Sequence, residues 1–178
     1  MIPFTPPKQI KNFNLFISGK LGGFAGKVVE FEPPKLKIKT EEYLSSVQDT
    51  PILLENGLEP LTASFTLAEV VDDIITLFGQ GVIEGALKNG TVIPEFVVKG
   101  LMESAIPERL DLVMRGYVTE LDLGTWKAGE RANFKFSIAV YQYIIRKNGQ
   151  DIVDIDVLTG KRKIEGVTGL LDLALLFT

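Results

Sequence analysis

Residues 131–158 constrain the fold most, because two long runs of alternating apolar and polar residues are joined there by Asn148 and Gly149. An Asn-Gly pair tolerates the positive φ values that a type I′ turn requires, and such turns join the strands of β-hairpins. The segment therefore predicts a long β-hairpin around which the rest of the chain can be organised.

The predicted turn also fixes the register of this hairpin. Facing residues then form one charged pair and two β-branched pairs, which stabilise antiparallel strands. Alternation gives the hairpin one apolar face, broken by Gln142, and one mostly polar face. The predicted pairs are Arg146 with Asp151, Ile145 with Ile152 and Ile144 with Val153. The apolar face has Phe134, Phe136, Ile138, Val140, Ile144, Val153, Ile155 and Val157. The polar face has Asn133, Lys135, Ser137, Ala139, Tyr141, Tyr143, Asp154 and Asp156, with Ile145 and Ile152 near the turn.

The absence of cysteine and histidine narrows the chemistry of this 178-residue chain. It excludes disulfides, thiolate zinc sites, cysteine nucleophiles and histidine general bases, and with them the common hydrolase mechanisms. Neither Gly-Lys pair near the N-terminus fits the P-loop consensus, and no cofactor or metal site is predicted. We expect a single domain, residues 1–178, that is not an enzyme.

The charge and hydropathy of the chain favour a protein that buries surface in an assembly over one that binds nucleic acid tightly. The net charge of −4 provides no basic footprint, although an acidic surface could line a passage through which DNA slides. A hydrophobic fraction of 46% and a mean hydropathy of +0.19 indicate either surface buried in an assembly or a large β core. No secretory signal or membrane-spanning run is recognisable, so we expect the protein to start in a cytoplasm.

A helix is predicted over residues 65–79. Thr66 and Glu69 have the spacing of a capping box, and apolar residues from Leu67 to Phe78 recur at helical intervals. Gly79 is a natural stop. We expect this helix to cover one face of a small sheet, with Asp72 and Asp73 in solvent.

Two segments are predicted to project from the domain. Residues 1–11 contain three prolines and predict an extended arm. Residues 41–60 have no sustained period and contain Pro51, Asn56-Gly57 and Pro60, so they form a long loop or a projecting hairpin. Because long loops in compact domains are usually functional or mobile, this second segment is a candidate contact arm.

The remaining elements are mostly strands. Strands are predicted at residues 12–18, 27–31, 35–40, 95–101 and 109–123, with a bulge at Gly116 where the apolar set of the last strand changes face. Residues 80–91 are ambiguous, residues 160–163 predict a solvated basic turn, and the apolar residues 170–177 must be buried in the core or against a neighbour.

Five blocks spread along the chain carry a resemblance to a known family. They are LFISG at 15–19, PKLKIKTEEY at 34–43, the strand–loop–helix region at 61–79, VMRGYVTELDLGTWKAGE at 113–130 and KNGQDIVDIDVLTGKRKIEGV at 147–167. In this order and spacing they resemble the major tail tube protein of contractile-tailed bacteriophages, a family shared with contractile bacteriocins. Residues 80–91 and the apolar ending at 170–177 depart from the family's pattern. These departures affect the expected contacts between stacked rings of the protein more than the family itself.

The resemblance implies a mainly β fold, a β-sandwich or barrel with one flanking α-helix. Six copies would form a ring by sheet extension, and stacked rings would form a hollow tube inside a contractile sheath. The implied partners are further copies of the chain, the tail sheath, tape measure and baseplate proteins, and DNA that passes through the lumen without tight binding. The implied location is the virion tail, assembled in the cytoplasm of the bacterial host, with no membrane contact.

Two sets of site residues follow from the resemblance. Asp154, Asp156 and Lys135 on the polar face of the hairpin are lumen candidates, although that face could instead be outer surface or a subunit seam. Residues 41–60 would contact the adjacent ring, with Glu41, Glu42, Tyr43, Ser45, Gln48, Asp49, Glu55 and Asn56 as the ring-stacking candidates.

Three alternatives remain open at this point. An enzyme would depend on carboxylates such as Asp154 and Asp156, but the calcium-loop consensus is incomplete at Leu158 and Thr159. A monomeric ligand-binding β-barrel would have an apolar pocket and no need of the long loop. A type VI secretion tube protein would share the ring fold.

Overall fold

The computed structural model describes residues 7–19, 22–46, 49–78, 93–103 and 106–165. Within these residues the chain is mainly β, with ten strands and one four-residue helix. The strands are β1 Gln9–Ile17, β2 Val28–Glu32, β3 Ile38–Tyr43, β4 Ile52–Leu58, β5 Thr62–Leu67, β6 Glu95–Glu103, β7 Glu108–Asp122, β8 Phe134–Lys147, β9 Gln150–Asp156 and β10 Lys161–Ile164; the helix α1 is Asp72–Ile75.

Eight strands form one antiparallel sheet that curves strongly around its core. Its path is β1-β6-β7-β8-β5-β2, and β9 and β10 continue it from the far half of β8. Phe13 in β1 and Phe31 in β2 lie at opposite ends of this path, yet their ring centroids are 6.4 Å apart. The sheet is therefore rolled into a barrel-like shape. A separate two-stranded sheet, β3-β4, lies outside it.

The core is organised around stacked phenylalanines from adjacent strands. Phe65 is 1% exposed, and its ring centroid lies 4.6 Å from that of Phe31 and 4.8 Å from that of Phe136. Phe96 in β6 also approaches Phe65 and Phe136, at 6.4 Å each. Such offset-stacked rings combine large apolar burial with favourable ring geometry.

The turn of the β8–β9 hairpin is confirmed. Asn148 has a φ of 50° and Gly149 a φ of 86°, as the Asn-Gly turn predicts. Next to the turn, Arg146 opposes Asp151, and its Nε donates to the Asp151 carboxylate at 2.6 Å.

The rest of the predicted register is wrong by one residue. Ile152 is an extra residue in β9, so Ile145 faces Val153 and Ile144 faces Asp154. This bulge shifts the alternation of β9 relative to β8. Val157 follows the end of β9 and is 51% exposed, so its assignment to the apolar face is also wrong.

β8 changes the face that it presents to the core halfway along its length. Phe136 and Val140 are buried as predicted, but Tyr143 is buried as well. Tyr141 is an extra residue relative to β7, and a one-residue bulge moves later side chains to the opposite face. The prediction that Tyr143 lies on the polar face is therefore wrong. The same holds for Ile145 and Ile152, which pack against the core, and for Ile144, which lies opposite Asp154 on the outer face instead of the apolar face.

β7 and β8 approach closely at Gly116. A Cβ atom on Gly116 would lie 1.9 Å from the carbonyl oxygen of Ala139. The strand register shifts at this point, as predicted. The inward face of β7 changes only later, at the extra residue Thr119, so Val118 lies in the core and Tyr117 is half-buried on the other face.

The predicted helix at residues 65–79 is wrong. Residues up to Leu67 belong to β5, which pairs with β2 and β8, and the helix has only the four residues Asp72–Ile75. Its N-cap is Val71, without a side-chain capping bond, while Glu69 instead pairs with Lys27 at 2.5 Å. Burial of Phe65 among other strands outweighs the local capping signal.

Other boundaries differ modestly from the predictions. β1 includes residues 9–11 of the predicted arm, β3 extends to Tyr43, and β10 replaces most of the predicted basic turn. The predictions for residues 1–6, 80–91 and 170–177 lie outside the described residues. In the described part of the chain, no helix has the length and apolarity needed to cross a membrane.

Candidate assembly surfaces

The predicted contact arm forms an exposed hairpin from β3 and β4. Every residue of β3 is exposed, and only Leu58 of β4 is half-buried. Exposed apolar side chains concentrate here: among the described residues, seven of the eighteen large exposed apolar side chains lie between residues 36 and 54. They are Leu36, Ile38, Tyr43, Leu44, Ile52, Leu53 and Leu54.

The hairpin is held to the domain near its base and by one side chain farther out. Glu59 donates its backbone N–H to the Lys37 carbonyl at 2.9 Å, and Leu58 packs against the core. Glu55 forms an ion pair with Arg162 of β10. The apolar positions beyond these attachments remain uncovered.

The ring-stacking candidates all fall on or beside this hairpin where the structure describes them. Glu41 pairs with Leu54, Glu42 with Leu53 and Tyr43 with Ile52. Ser45, Asp49, Glu55 and Asn56 belong to the same projection, and Gln48 lies outside the described residues. Because neighbouring pairs point to opposite sides, both faces of the ribbon carry apolar and acidic groups.

The lumen candidates Asp154 and Asp156 lie together on the outer face of β9. Asp154 faces Ile144 and Asp156 faces Gln142. The Asp154 carboxylate accepts a hydrogen bond from Lys161 at 2.6 Å, so its charge is offset. Asp156 accepts the backbone N–H groups of the turn that follows, from Leu158 at 3.0 Å and Thr159 at 3.2 Å.

Lys135 lies on the same face but far from the two aspartates. Lys135 is seven positions before Gln142, the partner of Asp156, which corresponds to about 23 Å at ~3.3 Å per residue. The side chain instead lies in an acidic groove. The groove is lined by Glu30, Glu32, Ser64, Thr66, Glu120, Asp122, Lys135 and Ser137, with buried Phe65 and Phe136 beneath.

The four carboxylates of this groove were missed by the sequence reasoning. Glu30 and Glu32 belong to β2, and Glu120 and Asp122 belong to β7. These two strands flank the β5–β8 pair on opposite sides, so their carboxylates share a groove only because β5 pairs with β8. Alternation within each strand signals exposure, but only the strand order places these groups around Lys135.

The turn end of the β8–β9 hairpin is internally charge-paired. The Arg146 hydrogen bond lowers the pKa of Asp151 below its ordinary value. Glu108 is 2.5 Å from Lys8 and 2.9 Å from Lys147, and hydrogen bonds from these lysines lower the pKa of Glu108. These charges support the fold at this end of the sheet.

Two tyrosines occupy the outer face between the charged regions. The rings of Tyr117 and Tyr141 are 5.5 Å apart. Burial, together with a hydrogen bond to Tyr117, raises the pKa of Tyr141 to about 12, so it is neutral at physiological pH. In the described part of the chain, no three or more acidic side chains are arranged to hold a metal ion.

Comparisons of structure extend the picture of the fold. The chain resembles a protein of the anti-feeding prophage baseplate with a TM-score of 0.54 and 10% identity, covering 80% of this chain and 97% of the other. It also resembles a chain of the sheath/tube terminator of an extracellular contractile injection system, with a TM-score of 0.56 and 9% identity, covering 82% and 99%. At these identities the likeness shows the fold.

Comparisons of sequence show the family. The chain is 26% identical over 162 residues to the major tail tube protein of Serratia phage KSP20, covering 90% of this chain and 89% of that protein. It is 24% identical to the tail tube protein of Escherichia phage P2, covering 92% and 93%. The profile of the family described as phage tail tube protein FII matches residues 7–173. The chain therefore belongs to the phage tail tube protein FII family, whose members are structural proteins of the tail tube.

Proposed function

We propose that six copies of the chain form a ring and that stacked rings form the hollow inner tube of a contractile tail. The observation that carries this proposal is the exposed apolar hairpin β3-β4. Its seven large apolar side chains are uncovered within one copy of the described chain, and soluble monomers rarely leave such contiguous patches in water. The anti-feeding prophage baseplate, which contains a chain of similar fold, has sixfold symmetry, which supports six as the ring number.

The hairpin has a physical reason to order on assembly. An isolated two-stranded ribbon is marginally stable in water, and this one has two exposed faces and a small anchored base. Covering Leu53, Leu54 and Ile52 with a second copy removes apolar area from water, at roughly 25 cal/mol per Å². Stacking of rings is therefore coupled to fixation of this segment.

The outer face of β9, β8, β5 and β2, together with the end of β7 that carries Glu120 and Asp122, is the proposed wall of the lumen. It includes Asp154, Asp156 and Lys135, but the acidic groove around Lys135 provides more uncompensated negative charge than the paired Asp154. An acidic wall repels DNA phosphates, so DNA can pass without the counterion release that makes binding tight.

Other tail proteins would contact the tube from outside, from inside and at its end. A surrounding sheath is supported by the related chain of a sheath-tube complex, which has a TM-score of 0.53 and 9% identity and covers 79% of this chain and 91% of that one. Tape measure and baseplate proteins would contact the inside and the end of the tube. Assembly would take place in the host cytoplasm, and the finished tube would reside in the virion.

Sedimentation across a concentration series, followed by negative-stain electron microscopy, tests the proposal. We expect rings or tubes with a central hole wide enough for a DNA duplex. A monomer at every concentration would contradict the proposal and favour a ligand-binding barrel.

The lumen assignment is tested in the same tubes by replacing Glu120 and Asp122 with lysine. We expect DNA fragments to be retained by these tubes and not by wild-type tubes, and equal passage through both would refute the assignment.

The role of the hairpin is tested by deletion of residues 45–55. The deletion removes three of the seven exposed apolar side chains, Ile52, Leu53 and Leu54, and with them the strand pairing of the outer half of the hairpin. It removes no fully buried residue of the described chain. We expect a folded protein, by circular dichroism, that no longer stacks into tubes. Tubes formed by the deletion variant would refute the stacking role.

A further inference from the structure

The loop between β7 and β8 presents the single tryptophan of the chain to solvent. Trp126 is 72% exposed, and Leu123 beside it is 42% exposed. Tryptophan is enriched among the side chains that dominate binding energy at protein interfaces. An exposed tryptophan outside the core of a self-assembling protein is therefore a candidate anchor.

The geometry of this loop fixes the position of the indole ring. The Trp126 Nε1–H group donates to the Leu123 carbonyl at 3.1 Å, and the Gly124 N–H group donates to the Asp122 carboxylate at 2.8 Å. Gly124 has a φ of 69°, and a Cβ atom there would lie 2.4 Å from the Asn133 carbonyl oxygen. The loop is thus ordered before binding, which lowers the entropic cost of docking. Because the indole N–H is satisfied, the ring faces remain for apolar contact.

The hairpin β3-β4 has complementary properties. It carries uncovered Leu53, which is 64% exposed, and uncovered Leu44, which is 61% exposed. Residues 38–58 contain four acidic residues and one basic residue, whereas residues 123–133 contain two basic residues and one acidic residue. The one close pair in that loop, Lys127 with Glu130 at 3.7 Å, is highly exposed and contributes little by itself. The two surfaces therefore match in apolar character and oppose each other in net charge.

We infer that the loop at residues 123–133 is the surface that receives the β3-β4 hairpin of a second copy of this chain. This inference rests on the proposed assembly into stacked rings and names its receiving site. Within one copy the two surfaces do not cover each other, because both Trp126 and Leu53 remain mostly exposed. A contact between two different patches is heterologous, so each copy can receive one hairpin and donate another, as a repeating stack requires.

Fluorescence of the single tryptophan tests the inference directly. On polymerisation of the wild-type protein we expect the Trp126 emission to shift to shorter wavelength and its quenching by acrylamide to fall. Trp126→Ala should raise the concentration needed for polymerisation by about tenfold or more, and Trp126→Phe should recover most of this loss. The melting temperature of monomeric Trp126→Ala should equal that of the wild type, because the side chain is exposed.

The possible failures are distinguishable. If the wild-type protein does not polymerise, the proposed function fails. If it polymerises while Trp126 stays fully quenchable and Trp126→Ala assembles normally, the receiving site is refuted and the proposed function stands.

Cysteine cross-linking identifies the segment that covers the loop. Because the chain has no native cysteines, every disulfide must form between the introduced residues. Variants Leu53→Cys and Lys127→Cys are mixed, polymerised and oxidised. We expect a disulfide-linked dimer, because the two positions come within disulfide range only if the hairpin docks on the loop. The control mixture pairs Leu53→Cys with Val157→Cys in the exposed β9–β10 turn. Efficient cross-linking in the control alone would place the hairpin on that turn and overturn the inference.

Discussion

Replacement of Gly116 by alanine tests the close approach of β7 and β8, the two longest strands. The added Cβ atom would lie 1.9 Å from the Ala139 carbonyl oxygen and 3.0 Å from the Val140 Cα atom. Both neighbours are backbone atoms, so no side-chain rotation relieves the clash. The strands must separate by more than 1 Å locally, at the point where the bulge at Tyr141 already disturbs the ladder.

The expected cost is about 3 kcal/mol, at the upper end of ordinary overpacking. For a chain of this size, each kcal/mol lowers the melting temperature by roughly 2–4 °C, so we expect a decrease of about 6–12 °C. Gly100→Ala in the adjacent strand β6 is the matched control. Its added Cβ atom would have its nearest neighbour at 3.5 Å, an ordinary contact, and we expect a change below about 1 kcal/mol.

Thermal and urea unfolding, followed by circular dichroism, measure both variants at concentrations where the protein is monomeric. A loss below about 1 kcal/mol for Gly116→Ala, or equal losses for the two variants, would refute the reasoning. Such a result would mean that β7 and β8 are farther apart than the 1.9 Å approach at Gly116 implies.

Three further predictions concern the core, the pH dependence and the outer face. Phe65→Ala should lower the free energy of unfolding in urea by about 3–5 kcal/mol, because a fully buried stacked ring is lost. Phe78→Ala, at a position 52% exposed, should lower it by less than about 1 kcal/mol. Equal losses would support a helix at residues 65–79 instead of β5. Burial raises the pKa of Tyr143 to about 12 from the ordinary 10.0, so the hydroxyl ionises first in the unfolded chain, and the stability present below pH 10 is lost as the pH rises toward 12. The free energy of unfolding of Tyr143→Phe should fall by about 2 kcal/mol less than that of the wild type over that interval. Identical alkaline unfolding profiles would contradict the burial of this hydroxyl. Asp156→Ala should lower the free energy of unfolding by about 1 kcal/mol, because the acceptor for two backbone N–H groups is lost, while Asp156→Asn should retain most of that stability. Equal thermal stability of Asp156→Ala and the wild type would exclude this structural role.

Much of the β architecture could be predicted from local pattern. The Asn148-Gly149 turn, the alternating residues Phe134–Val140 and the strand at β7 carry signals within a few neighbouring residues. The five sequence blocks resemble the tail tube family, and the profile match confirms that resemblance. A projecting hairpin is also one of the two structures that the sequence predicts for residues 41–60.

The errors have a common physical origin. The helix predicted from Thr66 and Glu69 was wrong because Phe65 and Leu67 gain more by packing between β2 and β8 than a capping box provides. The register of β8 and β9 was wrong because single-residue bulges at Tyr141 and Ile152 leave no mark in an otherwise alternating sequence. At the first bulge the ring of Tyr141 lies 5.5 Å from that of Tyr117 in β7, and at the second the Ile152 carbonyl accepts a hydrogen bond from the Glu165 N–H group at 2.7 Å.

The sequence by itself determined the strand-rich class, the hairpin turn and the family, since turn conformation, alternation and ordered sequence blocks are local or linear properties. Only the tertiary structure decided which side chains share a surface. It separated Lys135 from Asp154 and Asp156, paired Asp154 with Lys161, and gathered carboxylates of β2 and β7 into one acidic groove. Strand order and bulges set those positions, because a shift of one residue moves a side chain to the opposite face of the sheet.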